Sequence, residues 1–194
     1  MLFRSMKAGE FIDINELSEA LKVSKTPIRD ALLVLSSEGF IDVLPRRGFV
    51  VHRLTMHDIQ NLYQLIGALE SAAFEESIPH IDNTYRTTLH ELNAAMRKAV
   101  SDNDLQRYYE LNCAFHNHYI HMSMNAELIR LADIYRQRLY DFPFRRKLLT
   151  EWEARSVGEH NDFITHIDNG DFDKASSHID RKSTRLNSSH RIRS

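Results

Sequence analysis

The chain has 194 residues, with 25 Lys and Arg against 27 Asp and Glu and a formal net charge of −2. That balance excludes a polycation that coats nucleic acid or membrane indiscriminately, so contact with a polyanion has to come from local patches. The single cysteine, Cys113, excludes an intramolecular disulfide, and no apolar run is long enough to span a bilayer; a cytoplasmic protein with no membrane partner is expected.

The length allows one medium domain or two small ones. The first five residues and the tail Lys182–Ser194 do not continue the patterns beside them. The tail has no apolar period and resembles translated sequencing-adaptor sequence. Segments 1–5 and 182–194 are therefore expected to be non-native, and the fold is read from residues 6–181.

The first predicted helix runs from Asp13 to about Leu21. Asp13 is a plausible N-cap with Glu16 three residues on, and Ile14, Leu17, Ala20 and Leu21 follow the 3.6-residue period. A tight polar turn at Val23 leads to a second helix, with Ser24 as cap and Pro27 inside the first turn, where its missing N–H is not needed. Ile28, Ala31, Leu32 and Leu35 form its expected inward stripe, and Gly39 ends it. Lys25, Thr26 and Arg29 point away from that stripe. Such residues suit a recognition helix: Arg29 can fork onto a guanine, while Ser24, Lys25 and Thr26 suit phosphate oxygens. Ile41–Leu44 and Phe49–Arg53 read as the strands of a hairpin. Its tip, Arg46, Arg47 and Gly48, can reach an adjacent groove.

Taken together, Leu17–Leu32, Glu38-Gly39-Phe40-Ile41 and Arg46-Arg47-Gly48-Phe49-Val50-Val51 resemble the GntR family of bacterial transcription regulators. The resemblance covers the N-terminal third and implies a winged helix-turn-helix. Lys25 stands where the family usually has Arg, which keeps the charge but loses the bidentate fork. The family's first helix, normally before Gly9, is largely absent.

From Thr55 onward the period is helical. Thr55 and Asp58 frame a start, and Ile59, Leu62, Leu65, Ile66, Leu69, Ala72 and Ala73 line a face up to about Pro79. Further helices are predicted on Leu89, Leu92, Met96 and Val100; over about 104–122; over 127–141, broken by Pro143; over about 150–169; and from Asp171 on. The fold class is thus mostly α: a winged helix-turn-helix with a small β-hairpin over 6–53, a linker over 54–58, and an all-α antiparallel bundle over 59–181.

Asn112 and His116 lie at i and i+4 on one helix face, and His160 falls on a later helix. Imidazoles and a side-chain oxygen converging in a bundle can hold Zn, with Ni or Mn as alternatives; spacing alone leaves open that these are satisfied core residues. Leu111–His116, Asn125 and Glu159-His160 resemble the FCD ligand-sensing domain of FadR-like GntR regulators. That resemblance implies a metal held by Asn112, His116 and His160, and a small carboxylate effector bound with its help. It places a fourth ligand near residue 182, where the chain has Lys182; His178, one turn earlier, reads as a poor substitute. Ile66 stands where a basic residue facing the effector is expected. Arg130, Arg136 or Arg138 remain as anion partners, with Arg130 and Arg138 taken as the effector-binding candidates.

The function expected is a homodimeric, sequence-specific regulator that binds a double-stranded operator and senses a small carboxylate, not an enzyme. Two alternatives are a metal-dependent hydrolase-like enzyme built on Asn112, His116 and His160, and an architectural DNA-binding protein.

Overall fold

The structure is a computed structural model and describes residues 6–140 and 149–179. Pro143, Lys182 and the two chain ends lie outside the described residues. The chain divides into two compact units; the N-terminal one runs to Ile59 and also takes in the last residues, from Gln137 on, of a later helix.

In the N-terminal unit, β1 (Phe11–Ile12) is followed by α1 (Ile14–Leu21), α2 (Lys25–Ser37), β2 (Ile41–Leu44) and β3 (Gly48–Val51). Asp13 caps α1 as expected, accepting from the amides of Asn15 at 2.7 Å and Glu16 at 3.4 Å. The turn between helices has Lys22 in the left-handed region at φ 55°, and Ser18 Oγ–H donates to Val23 O at 2.7 Å. Ser24 occupies the N-cap of α2, but its side chain makes no cap hydrogen bond. Gly39 adopts φ +83° beyond the end of α2. Its N–H returns to Ser36 O, and Phe40 N–H to Leu35 O, the paired bonds of a Schellman ending.

The sheet has the antiparallel order β1-β3-β2, with Ile12 opposite Phe49 and Leu44 opposite Gly48. Two expectations change here. The sheet has a third strand, β1, too short for a periodic signal, and β3 starts at Gly48 and stops at Val51 rather than running Phe49–Arg53. Ile12, Leu17, Ile28, Leu32, Ile41 and Phe49 form the core. Ala20, Leu21 and Ala31, expected inward, are exposed. A two-helix unit on a small sheet buries only a narrow stripe of each helix, so the flanking apolar positions stay in water.

The second unit is helical. Its helices are α3 (Met56–Ser77), α4 (Asn83–Ser101), α5 (Leu105–Ile120), α6 (Ala126–Tyr140), α7 (Leu149–Asp168) and α8 (172–179), with a short 3₁₀ turn at Ile78–His80. The expected capping pair is present at the start of α3. Thr55 N–H and Oγ–H donate to Asp58 Oδ2 at 2.8 and 2.6 Å, and Asp58 N–H donates back to Thr55 Oγ1 at 3.2 Å. This cap takes part of the expected 54–58 linker into the helix. Gly170, at φ +73°, ends α7 with Asp171 N–H on His166 O, and the chain turns into α8.

Tyr85, Leu89, Phe115, Tyr119, Ile120, Phe163, Ile164 and Ile167 are prominent in the bundle core. On α3 the buried side differs from the predicted one. Leu65 and Ala72 face water, whereas Glu70, Phe74 and Ser77 are buried beside Ile66 and Ala73. The buried stripe thus contains a carboxylate, which an apolar period cannot register.

Candidate functional site

Two sites stand out, one in each unit. On the N-terminal unit, Lys25 and Thr26 are the first two residues of α2, with Arg29 one turn on. All three, with Ser24, are exposed, while Ile28 and Leu32 turn inward. Anchoring one face of α2 therefore leaves the bases on the opposite face, as a groove-reading helix requires.

In the hairpin, Pro45 and Arg46 are the central turn residues and Arg47 N–H returns to Leu44 O at 3.0 Å. Arg46 has φ 62°, the pattern of a type II turn, in which glycine is the usual occupant of that position. The two tip arginines differ. Arg46 projects from the turn into solvent, whereas the Arg47 guanidinium lies over the Phe11 ring, 5.3 Å from its centroid.

In the helical unit, α5 supplies Phe115, His116 and Tyr119, α7 supplies Glu159, His160 and Phe163, α3 supplies Glu70, and α8 supplies His178 and Ile179. These residues line one cavity of about 20 Å³, room for a single water- or ion-sized occupant. His116 and His160 are both buried, and their Nε2 atoms stand 3.3 Å apart. Phe115 stacks on the His160 ring at 4.3 Å between centroids and fixes its plane.

The other face of His116 is held by a carboxylate. Its Nδ1–H donates to Glu70 Oε2 at 2.9 Å, and the Tyr119 phenol donates to the same oxygen at 2.8 Å. Behind Glu70, Arg136 Nε stands 3.8 Å from Oε1. The Arg136 guanidinium also donates to Asn117 Oδ1 at 2.7 Å and to Cys113 O at 3.2 Å. Burial pushes the Glu70 carboxyl upward, but His116, Arg136 and the Tyr119 hydroxyl outweigh it and hold the pKa at about 2. Burial, reinforced by the Glu70 charge, raises Tyr119 well above the ordinary phenol value, so it stays a neutral donor.

In its neutral form, His116 is held by this arrangement in one tautomer. With Nδ1 donating to Glu70, the lone pair of Nε2 faces His160. Two imidazole nitrogens at this spacing can share a proton or face one cation. For metal–nitrogen bonds of about 2.0–2.1 Å, the edge of a tetrahedral site is roughly 3.3–3.4 Å. A carboxylate on the far nitrogen is the usual support of a metal-bound histidine. Among the described residues, no three His, Cys, Asp or Glu side chains already stand together at metal-holding positions.

The structure brings together His116 and His160 as expected, and adds Glu70, Tyr119 and Arg136. Asn112 is buried one turn before His116 but is not among the cavity-lining residues. The effector assignments change as well. Arg130 is turned to the surface, its Nε and Nη2 on Glu127 Oε2 at 3.0 and 2.8 Å, because an i,i+3 partner lies nearest. Arg138 is half-buried and does not line the cavity. Arg136, two residues away and so on a different side of α6, is the buried cation that reaches the site. His178, read from spacing as a poor substitute, does line the cavity. The signal that could have found Glu70 is its place in the buried row Ile66, Glu70, Phe74.

Most of the chain has recognisable relatives. Residues 61–182 match the model of the FCD domain, and residues 3–51 match that of the bacterial regulatory proteins of the gntR family. The HTH-type transcriptional regulator YdhC of Bacillus subtilis is 30% identical over 138 residues, covering 69% of this chain and 60% of that protein. The Nta operon transcriptional regulator of Aminobacter aminovorans is 29% identical, covering 78% and 69%. The structure of E. coli McbR/YncC shares the fold, with a TM-score of 0.69 at 19% identity over 96% of this chain and 91% of that one. With a reading helix and wing in one unit and an FCD bundle in the other, the chain belongs to the GntR family of bacterial regulatory proteins.

Proposed function

We propose that this chain is a transcription regulator that binds an operator through its winged helix and senses a small carboxylate through a divalent metal, zinc first, in its helical unit. Family membership supports the DNA-binding half. The observation that carries the sensing half is the buried pair of Nε2 atoms, 3.3 Å apart, with Glu70 behind His116. His116 and His160 would hold the metal, with Asn112, on the same face of α5 one turn earlier, supplying an oxygen. The metal would act as a Lewis acid for an effector carboxylate. Glu70 keeps Nε2 of His116 available, Tyr119 holds Glu70 in place, and Arg136 balances its charge. The regulator would act in the cytoplasm as a homodimer on a two-fold operator, one winged helix per half-site.

In-vitro selection from a random duplex library, followed by zinc titration of the full chain, tests both halves. Enrichment of a two-fold symmetric motif is expected; salt-dependent binding without a motif would favour the architectural alternative. Wild-type protein is expected to bind zinc and His116→Ala to lose it. Equal zinc stoichiometry in the two would refute the assignment of His116.

A further inference from the structure

We propose that Phe11 is a positioning residue for DNA binding, its ring holding the Arg47 guanidinium as a clamp for a phosphate of the duplex; the inference rests on the winged-helix reading above. The ladder between β1 and β3 sets the geometry. Phe11 lies opposite Val50, and Ile12 opposite Phe49. Directly opposed residues share a face of the sheet, and successive residues alternate between faces. Ile12 and Phe49, at 7% and 5% exposure, turn into the core, so Phe11 and Val50 stand on the outer face. There Phe11 remains 51% exposed, and the Arg47 guanidinium carbon lies over its ring, 5.3 Å from the centroid. Core packing draws on Ile12 and leaves the ring at position 11 without a part in it.

The charge of Arg47 is left for an outside partner. The acid on this face, Asp42, lies opposite Val50 and pairs with His52 Nδ1 at 2.9 Å. Among the described residues, no carboxylate pairs with Arg47, whose side chain is exposed. A guanidinium laid on an aromatic ring gives its face to the ring and keeps its in-plane N–H groups for acceptors. A phosphate oxygen needs only such a donor at a fixed place beside the backbone, whereas a base edge needs a side chain that extends into the groove. Drawn back onto the sheet, Arg47 suits the first task. Of the two tip arginines, only Arg47 has a ring beneath it among the described residues, while Arg46 sits at the centre of the turn with φ 62°. An arginine loose in solvent gives up rotamer freedom when it grips a phosphate. One already resting on a ring has given up part of that freedom before the duplex arrives.

The test is fluorescence anisotropy of the full chain on two duplexes, the motif enriched by selection and a fixed random sequence, between about 50 and 200 mM KCl. If no motif is enriched, the random sequence alone carries it, because a phosphate contact does not depend on the bases. Phe11→Leu is measured in three backgrounds, wild type, Arg47→Ala and Arg46→Ala. Arg47→Ala is expected to weaken both duplexes alike and to reduce the salt slope by about one per bound protomer. Phe11→Leu is expected to weaken binding roughly 2–5-fold, while Phe11→Tyr, which keeps a ring, stays at wild type. The decisive reading is the cycle: Phe11→Leu should do nothing once Arg47 is alanine and keep its full effect once Arg46 is alanine. A ring that only stabilises the sheet predicts an equal loss in all three backgrounds, and that result would overturn the proposal. An unchanged salt slope in Arg47→Ala, or a loss confined to the motif, would overturn it too. If Phe11→Leu unfolds the unit, as read by its melting temperature, Phe11→Met replaces it in the same cycle. Failure of the wild type to bind either duplex would bring down the winged-helix reading itself, and the proposal with it.

Discussion

The two units solve opposite problems. The N-terminal unit closes over a small core, Ile12, Leu17, Ile28, Leu32, Ile41 and Phe49, and leaves the residues proposed to meet DNA, Lys25, Thr26, Arg29 and Arg46, exposed outside it. The helical unit has the larger core and holds its proposed site inside, with Glu70, His116, His160 and Arg136 all buried. In the first, the proposed DNA contacts and the core sit on different faces and can be changed separately. In the second, the groups that would bind the ligand also hold the fold, because a buried charge without its partner is costly.

The largest expected effect breaks that coupling directly. Glu70→Ala leaves the Arg136 charge buried and His116 Nδ1 without its acceptor. It should cost roughly 3–5 kcal/mol, measured by urea unfolding monitored in the helical unit. A loss below about 1 kcal/mol would mean that the buried pair is not a structural element and that the contrast between units fails.

Arg29→Ala sharpens the same contrast from the other side. The residue is exposed on the first turns of α2, so unfolding should be nearly unchanged. Affinity for the selected operator should fall by roughly 1–3 kcal/mol if Arg29 reads a base. Fluorescence anisotropy on the operator checks this, and an affinity equal to wild type would remove Arg29 from base reading.

The smallest effect lies where the chain enters α3. The Thr55 hydroxyl and amide hydrogen bonds lower the Asp58 pKa below its ordinary value of 3.8. A group depressed in the folded state stabilises it fully above the unfolded pKa, and that contribution is lost as pH falls through the folded value. The cap should therefore weaken only on acidification below about pH 4, by no more than about 1 kcal/mol for so exposed a group. Asp58→Asn should flatten that segment of the stability–pH curve, and a curve identical to wild type would show that the pair contributes nothing.

The degree to which each unit was legible follows from the same contrast. Asp13, Gly39, Thr55 and Asp58 act locally through hydrogen bonds within a few residues, so their roles could be read in chain order. The exposure of Lys25, Thr26 and Arg29 could be read because it follows from the apolar residues between them. The helical site was only half visible. His116 and His160 carry a recognisable residue type, but Glu70 lies on α3 in a row that otherwise reads as core. Arg130, Arg136 and Arg138 cannot be ranked by composition.

The sequence by itself determined the two-unit order, the helix starts and stops, the exposed bases of α2 and the family, because each depends on near neighbours or on a long periodic pattern. Only the tertiary structure decided that Glu70 supports His116, that Arg136 rather than Arg130 or Arg138 is the buried cation, and that His178 shares a cavity with His116 and His160. These depend on how α3, α5, α6, α7 and α8 pack about one point. Contacts across residues so distant in sequence are set by helix packing, which no local period encodes.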